Sequence, residues 1–236
     1  VCHKSDRNTN KKGTSKMTAI SIDGPAGAGK STLARLAAKK LHFIYVDTGA
    51  LYRAIGLNAL LNGVAISDEE RVKELLAKTK IELAFQDGVQ RVYLNGKDVS
   101  DDIRTPEVSM AASGISALKP VRDFLLGLQR SMAEKYDVIM DGRDIGTVVL
   151  PNAQIKIFLT ASARCRAKRR YDELTEKGMN VKFEDILQDI ETRDYNDSHR
   201  AIAPLKPACG SILLDTSDEP LEVSLTRLVR MIEERL

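Results

Sequence analysis

The sequence predicts an α/β fold built on a parallel sheet, with a small antiparallel unit inserted into it. Three observations carry that prediction. Short apolar runs alternate with segments whose apolar residues recur at helical spacing, the pattern of repeated strand-helix units. A glycine-rich turn, Gly24 to Gly29, separates the first such run from the first helix. Between residues 81 and 99 the period changes, and the turn dipeptides Asp87-Gly88 and Asn95-Gly96 divide IELAF, VQRVYL and KDV into a meander.

In chain order, residues 18–23 (TAISID) read as the first strand and 31–41 as the helix that follows it. A second strand is expected over 43–46 and a second helix over about 50–61. The next helix should follow Ser67, which with Asp68 and Glu70 offers a capped start. Beyond the meander come helices over about 105–116 and 121–135, then strands over 137–140 and 155–159, short and apolar as buried parallel strands are. Two more helices (about 162–176 and 183–196), a last strand (211–214) and an amphipathic helix (221–235) close the chain.

A chain of 236 residues, 43% hydrophobic, can bury one sizeable core with a small appended subdomain. Its formal charge of +3 is concentrated at the start, where Lys4, Arg7, Lys11, Lys12 and Lys16 face only Asp6; residues 17–236 therefore carry −1. That near-neutrality argues against a polyanion-binding surface. Residues 1–16 have no apolar periodicity and read as an unstructured tail or an added extension, with Met17 as the natural start. Cys2, Cys165 and Cys209 are too few and too scattered for a zinc site or a disulfide framework, and no long apolar span appears. The expectation is a reduced, cytoplasmic monomer with no membrane or nucleic-acid partner, in which Cys209 packs rather than reacts.

Gly24-Pro25-Ala26-Gly27-Ala28-Gly29-Lys30-Ser31, followed by Thr32, satisfies G-x-x-x-x-G-K-[ST] between a predicted strand and a predicted helix, the context this phosphate-binding motif requires. The glycines let backbone N–H groups converge on phosphate oxygens, and the helix N-terminus adds its positive end. Lys30 supplies a cation for the β and γ phosphates of ATP, and the Ser31 hydroxyl is placed for Mg²⁺. Such a loop alone does not separate a kinase from a GTPase, a helicase or a regulatory ATP switch. The acceptor side must decide. Thr48, Tyr52 and Arg53 follow the second strand directly, at the sheet edge where ligands bind in open α/β folds, and Arg53 could fork onto a phosphate.

GPAGAGKST, DTGALYR, IRTPEVS, DGRDIGTVV and RDYNDSHRAIAPL, in this order and spacing, resemble the motif series of the long bacterial cytidylate kinases of the nucleoside monophosphate kinase group. The resemblance spans residues 17–236. It implies a three-layer P-loop kinase with a five-stranded parallel sheet, a monophosphate-binding insert over about 75–117, a lid over about 170–180, and Mg²⁺-dependent transfer of the ATP γ-phosphoryl group to CMP or dCMP. Asp141, ending an apolar strand, resembles the metal-facing acid of a Walker B strand. The resemblance further implies that Arg143 contacts the acceptor phosphate, that Asp144 accepts from the cytosine amino group, and that Arg122 and Ser113 take the remaining polar edge. A carboxylate facing an amino donor is a physical reason for choosing cytosine over uracil. Arg193 and Asp197 would contact the sugar and Arg200 a phosphate. These three lie within about 60° of one another if helical geometry continues that far; read alone, they suit a solvated ion pair equally well. The basic run at 164–170 lacks interleaved aromatics and reads as the flank of a lid, with Arg166 and Arg170 on one face over ATP. Catalysis would then rest on positioning and charge neutralisation by Lys30, Arg53, Arg143 and Arg200. The alternatives are a kinase of another small acceptor, such as UMP or AMP, and an ATP-binding regulatory module.

Overall fold

The apolar run ahead of the glycine-rich turn forms β1 (Ala19–Asp23), buried at every residue. The structure is a computed structural model that describes residues 17–86 and 88–236; the expectations for residues 1–16, Cys2 among them, and for Asp87 lie outside the described residues. β1 sits at the centre of a five-stranded parallel sheet in the order β2-β6-β1-β7-β8, formed with β2 (Ile44–Asp47), β6 (Val138–Gly142), β7 (Ile155–Thr160) and β8 (Ile212–Asp215). Successive residues point to opposite faces. Ile20, Ile22, Ile139 and Ile157 pack beneath α1 (Lys30–Leu41) and α8 (Leu221–Glu233), against Leu33, Ala37, Leu225 and Leu228. Ala19, Val138 and Met140 pack the other way, against Met132 of α5 (Lys119–Lys135) and against Ile145 and Val149. Both faces are covered, which is why the strands read as continuous apolar runs.

The remaining elements build a second core. α2 (Thr48–Leu61), α3 (Glu69–Ala77), the meander β3-β4-β5 (Ile81–Gln86, Val89–Leu94, Lys97–Asp98) and α4 (Pro106–Ile115) enclose Leu51, Ile55, Val72, Val92, Ile103 and Ile115, together with Val121 and Leu125 of α5. Asn95 and Gly96, with φ of 51° and 84°, make the tight primed turn that their sequence predicts. Gln90 of β4 pins the meander to the parallel sheet: its side chain accepts from the Asp47 N–H (2.9 Å) and donates to the Asp47 carbonyl (3.2 Å).

Two expectations are corrected, and one element is new. α3 is capped by Asp68, whose carboxylate accepts from the Arg71 N–H at 3.1 Å, because the turn closed by Asp68 N–H on the Ala65 carbonyl carries Ser67 past the helix entrance. Cys209 is exposed, and its neighbour Ala208 packs instead, opposite Gly146. After β6 the chain forms a π-helical turn (Ile145–Val149) that no periodicity announced. That turn is held from outside. The Asp23 carboxylate accepts from the N–H groups of Ile145 and Gly146, both at 2.7 Å, and Arg130 of α5 donates to the carbonyls of Val149 and Val148.

Gly24 has φ of 152°, and a Cβ there would lie 1.9 Å from the Leu159 carbonyl oxygen. The loop begins where only glycine fits. Gly24→Ala should therefore cost about 3 kcal/mol. Gly127, exposed within α5 and with nothing within 4 Å of a built Cβ, is the converse case: Gly127→Ala should gain roughly 0.5–1 kcal/mol. Urea unfolding midpoints of the two variants would show opposite shifts.

Candidate active site

The phosphate loop leaves β1 and enters α1 through Gly27 (φ 72°) and Gly29 (φ 85°), left-handed positions that turn backbone N–H groups inward. Lys30, at the first position of α1, is buried, and its ammonium donates to the Pro25 carbonyl at 2.7 Å. The Ser31 hydroxyl donates to one oxygen of Asp141 (2.8 Å) and the Tyr45 hydroxyl to the other (3.0 Å), while Thr48 Oγ1 donates to the Asp141 backbone carbonyl (2.7 Å). Parallel pairing sets this arrangement, since Ile22 of β1 and Asp47 of β2 both stand in register with Asp141. Burial, then the Arg143 charge, push the Lys30 ammonium down to about 7, against the pull of Asp141 and Asp23. Burial, then the Asp47 charge, raise Asp141 to about 6. Asp23 is raised to about 6, mainly by burial.

Several arginines of the site are tied to carboxylates. Arg122 pairs with Asp144, both nearly fully buried; it also donates to the Ser116 carbonyl at 3.1 Å and lies over the Tyr52 ring, 5.8 Å from its centroid. Arg200 stands 3.6 Å from the other Asp144 oxygen and is fixed by its Nε donating to the Ala203 carbonyl (2.6 Å). Arg143 donates to Asp197 (2.8 Å), Arg53 to Asp47 (2.7 Å), and Arg193 reaches the Ser109 carbonyl at 3.4 Å. Two buried donors, Arg53 Nε and Arg200 Nη2, have no hydrogen-bond partner. Burial raises the Asp144 carboxyl, against the opposing charges of Arg122, Arg200 and Arg143. Burial also pushes the guanidinium groups of Arg193 and Arg200 down from their usual range.

α6 (Ala163–Glu176) and α7 (Phe183–His199) form a hairpin with a small core of its own around Ala167, Ile186 and Ile190. α7 ends at His199, and Arg200 is extended (ψ 142°), so Arg200 reaches the site through a turn rather than by helical phase. Nor is Asp197 half of a solvated pair with Arg193; it holds Arg143.

A cleft of about 450 Å³ unites these groups. From the phosphate motif it is lined by Ala26 through Thr32, from α2 by Thr48, Tyr52 and Arg53, and from α4 by Ser113; Arg122, Asp141, Arg143, Asp144, Arg193, Asp197 and Arg200 complete the groups nominated from sequence. Gly24 and Pro25, the first residues of the loop, are not among the lining residues. Arg166 and Arg170 do not line the cleft: Arg166 is buried against the loop's outer side, donating to the Ala26 carbonyl at 2.9 Å, and Arg170 is exposed, pairing with Glu173. Sequence reasoning missed Asp47, Tyr45, Ser109 and Ser116. The last two share a face of small residues with Ala112 and Ser113, at the i, i+3, i+4, i+7 spacing that could have revealed them.

Lys30 and five arginines face four aspartates in this cleft. That excess of cations, beside a phosphate loop, suits a donor triphosphate and a small phosphorylated acceptor. It places the molecule among the P-loop kinases. Comparison with known proteins narrows the class. The family model described as Cytidylate kinase matches residues 20–234. The cytidylate kinase of Lactobacillus gasseri is 51% identical over 225 residues, 95% of this chain and 98% of its own. That of Caldanaerobacter subterraneus subsp. tengcongensis is 51% identical over 215 residues, 91% and 94% of the two chains. A shikimate kinase structure from Bacteroides thetaiotaomicron covers 92% of this chain and 99% of its own, with a TM-score of 0.47 and 14% identity. The chain belongs to the cytidylate kinase family.

The low ammonium value of Lys30 has a measurable consequence. At about pH 8 a group titrating near 7 is mostly neutral, and phosphate oxygens beside it restore its proton. ATP binding without metal at about pH 8 should therefore take up a substantial fraction of a proton. Calorimetry in buffers of different ionisation enthalpy reads that uptake, which Lys30→Met should abolish.

Proposed function

We propose that this chain transfers the γ-phosphoryl group of ATP to CMP or dCMP, giving ADP and CDP or dCDP. The observation that carries the reading is the buried Arg122–Asp144 pair, with Arg200 beside it, in the same cleft as the phosphate loop. Cytosine presents an amino donor beside acceptor atoms, so Asp144 accepts from the amino group while Arg122 and the Ser113 hydroxyl donate to the rest. Uracil would set a carbonyl oxygen against the carboxylate. Arg193 and Asp197 hold the sugar, Thr48 and Tyr52 wall the pocket, and Arg53, Arg143 and Arg200 take the acceptor phosphate. Arg53 Nε, buried without a hydrogen-bond partner, and Arg200 Nη2, which has only the 3.6 Å ion pair with Asp144, support this, because a buried donor without a hydrogen bond costs roughly 1–3 kcal/mol. A phosphate oxygen would satisfy both.

On the donor side the loop's N–H groups and Lys30 hold the ATP phosphates. Ser31 Oγ and the Asp141 carboxylate fit Mg²⁺, being hard oxygen donors 2.8 Å apart, suited to an ion that takes most of its shell from phosphate and water. Mg²⁺ would there neutralise phosphate charge. The acceptor phosphate is already anionic and needs no general base. One of its oxygens attacks the γ-phosphorus in line as the bond to ADP breaks, with no covalent enzyme intermediate; positioning and cationic stabilisation supply the rate. We further assign the insert over about 75–117 to monophosphate binding and the segment over about 170–180, which spans the end of α6 and the turn at Gly178, to a lid. We read the working unit as a monomer. Among the described residues no helix is long and apolar enough to cross a membrane, and Cys165 and Cys209 are free thiols, which suits a reducing cytoplasm.

A panel of nucleoside monophosphates with Mg-ATP tests the reading: CMP or dCMP should be the best acceptor, and a preference for UMP or AMP would overturn it. Arg200→Ala should lower kcat/KM by about 10²–10³-fold with the fold retained. Asp144→Asn should cut the preference for CMP over UMP roughly 10- to 100-fold, read as the ratio of the two kcat/KM values.

A further inference from the structure

We propose that Arg166 and Asp194 form a positioning strut between the phosphate loop and α7, through which acceptor and donor tighten each other's binding. The inference rests on the reading of α7 as the acceptor-binding helix. Arg166, in the first turn of α6, is 3% exposed. Its Nε donates to the Ala161 carbonyl just past β7 (2.7 Å), and its Nη1 to the Ala26 carbonyl inside the loop (2.9 Å). The same guanidinium forks onto Asp194 of α7, at 3.0 and 2.5 Å. Its own stem lies along the loop, with Cβ 3.6 Å from where a Cβ on Gly27 would be.

α7 is anchored on both sides of that fork. Arg193 reaches the Ser109 carbonyl on α4, and Asp197 holds Arg143 at the end of β6. A ligand that engages Arg193 and Asp197 fixes α7, and the planar guanidinium passes that constraint to Ala26, one residue before the first inward-turned glycine. Lysine cannot reproduce the link, because a single ammonium cannot span a carbonyl and both oxygens of a carboxylate in one plane. The competing role is a swing of Arg166 onto the ATP phosphates. That would make Asp194 a brake rather than a partner.

The test is calorimetry on the full chain, measuring a non-hydrolysable ATP analogue with Mg²⁺, alone and with saturating CMP. Wild type should bind the analogue about 5- to 100-fold more tightly when CMP is present. In Asp194→Asn and in Arg166→Lys that factor should fall toward one while CMP affinity alone holds, and the double variant should be no worse than either single one. No coupling in wild type, or an undiminished factor in Asp194→Asn, would overturn the strut. So would a loss confined to Arg166→Lys, the signature of direct ATP contact. Should Arg166→Lys fail to fold, the nearly isosteric Asp194→Asn decides alone. A wild type that turns over CMP without coupling sinks the strut only, whereas one that phosphorylates no nucleoside monophosphate sinks the functional reading itself.

Discussion

The cleft depends on the parallel pairing of β1 with β6. That register puts Ile22 opposite Asp141 and Asp23 opposite Gly142, so the phosphate loop and the D-G-R-D segment leave the sheet side by side at one edge. A one-residue slip would turn Ile20 and Ile22 from the α1 and α8 face to the other and carry Asp141 away from Ser31. Asp23 then ties the two exits together. Its carboxylate holds the π-helical turn that follows Asp144, and the turn's apolar residues Ile145 and Val149 return to the core under α5. A buried acid with two backbone donors is a costly way to hold a turn. Here it holds Ile145 close to Gly142, where a built Cβ would come within 2.8 Å of both Ile145 and Thr48 Oγ1.

The electrostatics follow from crowding charge into that edge. Lys30, Asp141 and Asp144 are all pushed toward their neutral forms, chiefly by burial. Each is steadied by a group the cleft already owns: Pro25 for Lys30, Ser31 and Tyr45 for Asp141, Arg122 for Asp144. The aspartates thus act as place-holders. Asp47 and Asp197 hold Arg53 and Arg143 in defined positions, where the proposed function has phosphate oxygens take over. Preorganised cations of this kind need little rearrangement when charge builds on a transferring group.

The parts legible in the sequence are those whose chemistry is local. Gly24 through Ser31 could be read because a phosphate cradle needs glycine, lysine and a hydroxyl at fixed spacing, and the geometry at Gly24 leaves no other choice. The strands could be read because both faces are buried. What escaped depends on partners far along the chain. The π-helical turn owes its shape to Asp23, more than 120 residues earlier. Arg166 and Arg170 do share a helical spacing, but which one is buried is decided by Asp194 on another helix. Arg200 lies beyond the end of α7, so spacing put it near the site for the wrong geometric reason. Arg122, Asp144 and Ser113, the trio proposed to read the base, come from separate parts of the fold, and only the motif resemblance could bring them together in advance.

That trio also shows why the second core exists. The donor side stands on the first core, between α1 and the sheet, but Arg122 and Ser113 are carried by α5 and α4, whose packing belongs to the other. The insert meets the sheet near the site through Gln90 on Asp47, through Thr48 of α2 on the Asp141 carbonyl, and through Leu83 and Phe85 of β3, which pack against the cluster of Val46, Val138 and Met140. Arg122 and Ser113 therefore stand on one packed unit and Lys30, Ser31 and Asp141 on the other. On the proposed reading, repacking around the meander would act first on the Arg122 and Ser113 side of the cleft, whereas the Lys30 bond to Pro25 and the Ser31 bond to Asp141 are made within the first unit.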